Sequence, residues 1–168
     1  AGAPTSGARA TPGGDMLVVP ASLARRIERS LEAAYPAEGC GVLLGEAGVG
    51  VRVVARCEPA TNRWAGRHDR YRVDPALLVR LMAEEDAGGP SILGFYHSHP
   101  DGVPRPSPTD LEHAWPWYHY LILAVDGGRA ADGRAWELVD GRFRERTLVR
   151  RDDAAAGPRD GKESRWRK

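Results

Sequence analysis

Two histidines two residues apart, His97 and His99, are followed after a proline-rich turn by Ser107 and Asp110. Side chains in a strand alternate with period two, so both imidazoles project from one face. Imidazole is also the commonest metal-binding side chain near neutral pH. A serine and an aspartate arriving together at what reads as a helix start bring a hydroxyl and a carboxylate to the same place. His-His-Asp ligation suits zinc. No fourth strong ligand stands nearby, so the site would be open, as a catalytic zinc requires for its water.

Each part of this constellation also has a plainer reading. Ser107-Pro108-Thr109-Asp110 matches the capping box, in which Ser caps a helix and an acidic residue three positions on reaches back to the cap's amide. Taken alone, that is the commoner reading, and an isolated His-x-His is more often structural than ligating. The two together within one short segment shift the balance toward metal. Hydrolysis at such a site also needs a base that is not itself a ligand. Glu38 is the candidate, where a helix gives way to a buried strand, with Gly39 and Gly41 beside it, whose lack of side chains permits close backbone approach. A helix-end carboxylate facing water is the competing reading.

The elements that must position these groups follow from periodicity. Leu17 to Val19 reads as a short strand. Ser22 to Tyr35 reads as a helix with Leu23, Ile27, Leu31 and Ala34 on one stripe, ended by Pro36. Val42 to Leu44 and Val51 to Ala55 read as a hairpin, Pro59 to Arg70 as a loop holding Trp64, Gly66 and His68, and Tyr71 to Val73 as a brief strand. Asp74 caps a second helix with Pro75 at its first position, Leu77, Leu78, Leu81 and Met82 as its buried side, and Gly88-Gly89-Pro90 as its stop. Ser91 to His99 is the central strand, with Leu93, Phe95, His97 and His99 on one face and Ile92, Gly94 and Tyr96 on the other. Ser107 opens a third helix that Trp115-Pro116 terminates. Tyr120 to Val125 reads as a strand buried on both faces. Arg134 to Val139 and Arg142 to Val149 pair through an Asp140-Gly141 turn. The count is three helices and seven or eight strands in a mixed α/β domain.

The chain has 168 residues, enough for one domain with an ordinary core. Residues 1–15 are rich in Ala, Gly, Pro, Ser and Thr and read as a disordered segment. They lack the basic start and apolar middle of a secretory signal. The body spans residues 16–149, and residues 150–168 form a basic tail, with seven Lys and Arg against four Asp and Glu. The remainder carries 17 against 19 and is slightly acidic, so there is no basic face for nucleic acid. No apolar run is long enough to span a bilayer. Two cysteines, Cys40 and Cys57, make no disulfide framework and fit a reducing compartment. A cytoplasmic location is the expectation.

Glu38, then His97-Ser98-His99, seven intervening residues, Ser107, two more and Asp110 resemble the JAMM signature of MPN-domain metalloproteases, Glu…His-Ser/Thr-His-x7-Ser-x2-Asp. The surroundings Pro36-Ala37-Glu38-Gly39-Cys40-Gly41, Tyr71-Arg72-Val73-Asp74-Pro75 and Gly94-Phe95-Tyr96-His97-Ser98-His99-Pro100 look like the compact prokaryotic branch of that family. The resemblance spans residues 16–149. It implies the MPN fold, a curved mixed β-sheet flanked by helices with a cytidine-deaminase-like architecture. It also implies one zinc per chain held by His97, His99 and Asp110, with a zinc-bound water activated by Glu38 as general base and then acid. Ser107 would donate its hydroxyl to the oxyanion, worth about 3 kcal/mol for a single donor, and the helix N-terminus would add positive potential. The capping and catalytic roles of Ser107 compete for one side chain, and the catalytic one is favoured.

The implied reaction is hydrolysis of a peptide or isopeptide bond at the C-terminal tail of a ubiquitin-like or sulfur-carrier protein ending in Gly-Gly. Residues 56–72 and 126–133 leave room only for short loops, which suits a compact substrate. Trp64, Trp115, Trp117, Tyr118 and Tyr120 could line a groove for such a tail, although aromatics near a core edge are more often packing. His113, on the helical face of Asp110, has a small claim to the site, and Cys40 reads as a small buried residue. A non-catalytic MPN scaffold binding a ubiquitin-like protein is the main alternative, and such modules typically lack part of the Glu, His, Ser and Asp set. A zinc nucleobase deaminase needs His-x-Glu and Pro-Cys-x-x-Cys, which are absent.

Overall fold

The computed structural model describes residues 16–63 and 71–153. The N-terminal segment, Trp64, Gly66, His68 and nearly all of the basic tail lie outside them. In chain order the elements are β1 (Met16–Pro20), α1 (Ala21–Ala34), β2 (Cys40–Gly48), β3 (Val51–Ala60), α2 (Pro75–Asp86), β4 (Ser91–Pro100), α3 (Pro108–His113), β5 (His119–Asp126), β6 (Arg129–Val139) and β7 (Arg142–Arg151). The seven strands form one mixed sheet in the order β1-β3-β2-β4-β5-β6-β7, and parallel pairing of β1 with both β3 and β7 closes it into a barrel. No helix among the described residues is long and apolar enough to cross a membrane.

The sheet closes because α1 gives it something to wrap. Ile27 and Leu31 of α1 are buried in a cluster with Leu17, Leu43, Val54, Leu93, Leu121 and Ala135, against which Leu148 packs, so every strand contributes to the core around this helix. On the opposite face a second cluster joins Leu81 of α2 to Val42, Leu44, Ile92, Phe95 and Tyr120. Leu77, Leu78 and Met82 are only partly buried against it. As the sequence implies, Asp74 accepts a hydrogen bond from the Ala76 N–H at the start of α2, and Gly88, at φ 90°, takes the left-handed conformation just past its end. Asp140 and Gly141 both have positive φ, as a tight hairpin between β6 and β7 requires.

β3 runs on to Ala60 and β6 begins at Arg129, both longer than the sequence implies, and three further local readings change. Tyr71 to Val73 is not a strand but a single bridge between Asn62 and Val73. β7 runs to Arg151, and Asp153 accepts hydrogen bonds from the Ser22 N–H and hydroxyl at the start of α1. The third change concerns the central strand. The β2–β4 register slips where Leu43 pairs with Gly94 but Leu44 pairs with Ile92, a β-bulge that breaks the strict alternation. Leu93 therefore joins Tyr96 in the α1 core, and Ile92 joins Phe95 in the α2 core. Gly94 sits at φ 157°, where a Cβ would run into the His119 carbonyl of the neighbouring β5. Beyond the bulge alternation resumes, and Phe95, His97 and His99 share a face. Gly94→Ala is expected to destabilise by about 1–3 kcal/mol from backbone strain alone. Urea denaturation reads this as a lower midpoint at constant m.

Candidate metal centre

β4 lies between β2 and β5, and its C-terminal end carries both histidines. β4 and β5 run parallel, so the chain from Pro100 to His119 must travel back along the barrel. α3 sits in that return and delivers Asp110 beside the histidines. His97 Nε2 lies 3.1 Å from Asp110 Oδ1, His99 Nε2 lies 3.2 Å from Asp110 Oδ2, and the two ring nitrogens are 3.1 Å apart. Among the described residues, His97, His99 and Asp110 are the group whose donor atoms converge closely enough to hold a metal ion.

The environment sets their charge states. His97 is wholly buried and stacks on Tyr71 with ring centroids 4.2 Å apart. Burial lowers its pKa, against the pull of the Asp110 hydrogen bond and charge. Burial also opposes protonation of His99, but the Asp110 hydrogen bond, the Val103 carbonyl and the charges of Asp110 and Glu38 outweigh it and raise that pKa. For Asp110, burial favours the neutral acid, yet hydrogen bonds from both rings, the His97 charge and the Ser107 N–H hold the carboxyl well below the usual range. His99 Nδ1 lies 2.8 Å from the Val103 carbonyl. A carbonyl can only accept, so Nδ1 carries a hydrogen, and Nε2 is the nitrogen that could give its lone pair to a metal when the ring is neutral. Two imidazole nitrogens and an ionised carboxylate thus meet at one point, a donor set that fits a catalytic zinc.

Ser107 is the N-cap of α3 with a complete capping box: its Oγ accepts the Asp110 N–H at 3.1 Å, and its own N–H donates to Asp110 Oδ2 at 2.6 Å. The expected competition between capping and chemistry dissolves here. Capping uses one oxygen lone pair of Ser107, and the hydroxyl hydrogen remains available to donate. The box also orients the Asp110 carboxylate toward the histidines. At six residues α3 supplies little helix dipole.

Glu38 reaches the site through the β2–β4 pairing. Cys40 pairs with His97. One step further, the Ser98 N–H donates to the Gly39 carbonyl at 3.1 Å and the Ser98 hydroxyl accepts the Gly39 N–H at 2.9 Å. Continuing the register sets Glu38 opposite His99, and it is buried at 7 % exposure. The helix-end reading, with the carboxylate facing water, is therefore excluded. Asn62 donates to the Glu38 carbonyl at 3.0 Å and accepts the Arg72 N–H, tying the residues before α2 to the same corner.

Other expectations divide. Trp115, Tyr118 and Tyr120 pack around Phe95, with centroids 5.3–5.9 Å away; Tyr120 is core, and Trp115 and Tyr118 lie partly buried against it. Trp117 is exposed. The ring of His113 bonds the Thr109 carbonyl of its own helix and is not among the converging donors. Burial, reinforced by the Glu38 charge, pushes the Cys40 thiol up to about 12, so it stays protonated and packs as a small apolar residue. His119 is wholly buried on β5. Sequence reasoning missed Tyr71 against His97 and the Val103 carbonyl, neither of which leaves a periodic or motif signal. The middle serine of His97-Ser98-His99 did carry one, since alternation turns Ser98 away from the metal-facing side.

A barrel wrapped on one helix with a metal-competent corner at a strand end defines a class that the comparisons identify. The model of prokaryotic homologs of the JAB domain matches residues 20–139, and the chain belongs to this family. It is 40 % identical over 115 residues to the desampylase of Haloferax volcanii, covering 68 % of this chain and 78 % of the relative. It is 34 % identical over 117 residues to a probable TtuB-protein conjugate cleaving protease of Thermus thermophilus, covering 70 % and 76 %. The solution structure of protein DSY2949 from Desulfitobacterium hafniense has the same fold, with TM-score 0.72 and 23 % identity over 82 % of this chain and 94 % of that one. The protein is a hydrolytic enzyme of the JAB family.

Ser98→Ala leaves the Gly39 N–H without its side-chain acceptor in a buried corner. The expected cost is about 1–3 kcal/mol in urea denaturation, and an unchanged midpoint would show that this bond does not hold the strands together.

Proposed function

We propose that the protein is a zinc-dependent peptidase or isopeptidase that cuts at the C-terminal tail of a ubiquitin-like, sulfur-carrier type protein. The convergence of His97, His99 and Asp110 beside buried Glu38 carries this reading. The relatives named a desampylase and a TtuB-conjugate protease support the substrate class. One zinc per chain would be held by His97, His99 and Asp110. When bound, it would supply Lewis acidity, lowering the pKa of water and polarising the scissile carbonyl.

The chain's own groups supply the rest. Glu38, buried next to His99, takes a proton from the attacking water and returns it to the leaving amine. Ser107, capped through its lone pair, donates its hydroxyl hydrogen to the developing oxyanion. Gly39 and Gly41 sit where a Cβ would collide with Leu31 and Ala34 or with Tyr96, so they let the chain beside Glu38 pack closely against α1 and β4. In the same reading the site of action is cytoplasmic, and the fold is related to the cytidine-deaminase architecture through the family resemblance. A scaffold role is disfavoured because all five signature positions are present.

The test is metal analysis and turnover on linear and isopeptide-linked conjugates of a small protein ending in Gly-Gly, followed by mass spectrometry. Near-stoichiometric zinc and release of the intact carrier are expected; a protein without zinc that cleaves no conjugate would sink the reading. Glu38→Gln should keep zinc and lose turnover, whereas His97→Ala or Asp110→Ala should lose both. Ser107→Ala should keep zinc and reduce kcat by about 10²–10³.

A further inference from the structure

We infer that Trp136, on β6, is a positioning residue for the metal centre: its indole N–H holds the turn whose Val103 carbonyl orients His99. This rests on the zinc reading above. The two histidines are secured in different ways. His97 is wholly buried and stacked on Tyr71, so its ring has one place to lie. The His99 side chain is 13 % exposed, and its orientation depends on the 2.8 Å bond from Nδ1 to the Val103 carbonyl.

Within the turn that carbonyl accepts the Arg105 N–H at 2.8 Å, so its direction follows the Pro104–Arg105 peptide. Asp101, Gly102, Val103 and Arg105 are all exposed, with Val103 at 63 %. The start of the turn is tied down through Asp101: its carboxylate accepts the Tyr35 hydroxyl and the Gly127 N–H, each at 2.8 Å, and its N–H donates to the Val125 carbonyl. The far half is tied elsewhere. Pro104 is the buried residue of the segment 101–105 and, as a proline, offers no N–H for anchorage. Its carbonyl instead accepts the Trp136 Nε1–H at 3.0 Å, across 32 residues of sequence.

Trp136 can act as a fixed post because both its strand neighbours hold it, Tyr120 on β5 and Glu145 on β7, and its ring packs against the α2-side core. One peptide unit separates the Pro104 carbonyl from that of Val103. A planar peptide has two soft dihedrals per residue, so pinning one carbonyl restricts its neighbour. Without the indole bond, a buried carbonyl loses its partner, and the Pro104–Arg105 peptide, whose N–H holds the Val103 carbonyl toward His99, loses its anchor. Removing a group that orients a ligating histidine typically costs 10–100-fold in metal affinity, and Trp136 stands one step further out.

Two full-length variants test this: Trp136→Phe, and a protein with benzothienylalanine at position 136, which keeps the shape of indole while replacing its N–H by sulfur. Zinc affinity is measured by chelator competition, and the visible spectrum of the cobalt-substituted protein reports ligand geometry. Both variants are expected to bind zinc about tenfold more weakly with an altered cobalt spectrum, and the benzothienyl protein should melt close to the parent. Wild-type zinc affinity and cobalt spectrum in both variants overturn the inference, whatever happens to the melting temperature. An unmodified protein that takes up no zinc overturns it together with the metal reading, so the two failures are told apart.

Discussion

The antiparallel pairing of β2 with β4 is the constraint on which the site depends. Its last rungs are the Gly39 and Ser98 bonds, made by both backbone and side chain. They bring a carboxylate from the end of the first helix against a histidine nearly sixty residues later. A slip of one residue would turn His97 and His99 toward the opposite core and move Glu38 out of reach, because side chains alternate faces with period two. The bulge at Gly94 is part of the same constraint. It adjusts the phase of β4 so that Leu93 and Tyr96 fill the α1 core while the histidines still face the site.

Around that pairing, the structure supports each polar group from a different element. α3 brings Asp110 and, through the capping box, aims its carboxylate. The turn after β4 gives His99 a carbonyl, and β6 reaches over to that turn with an indole. Tyr71 covers His97 from the far side. Burial is what gives this arrangement chemical force. It disfavours the charged form of His97, while the neighbouring hydrogen bonds keep Asp110 ionised, the protonation states that ligation requires of these two donors.

Much of this was legible in the chain. Periodicity placed three helices and the strand framework, since amphipathic spacing and turn residues act locally. Asp74-Pro75 and Asp140-Gly141 did so with a mechanism at each residue. Tyr71 to Val73 misled, because a short apolar run says nothing about whether a partner strand exists. β3 was read too short because its second half is paired with β2 on one side and alternates poorly in burial.

The candidate ligands could be read from spacing because strand alternation and helix capping are properties of a few consecutive residues. The grouping of Glu38 with them came from a resemblance, and its burial beside His99 follows from strand register, which no local window contains. Tyr71 against His97, the Val103 carbonyl at His99 and Trp136 at Pro104 belong entirely to the folded state. Each is a contact between segments far apart in the chain, where packing and closure of the barrel, rather than local preference, choose the neighbour.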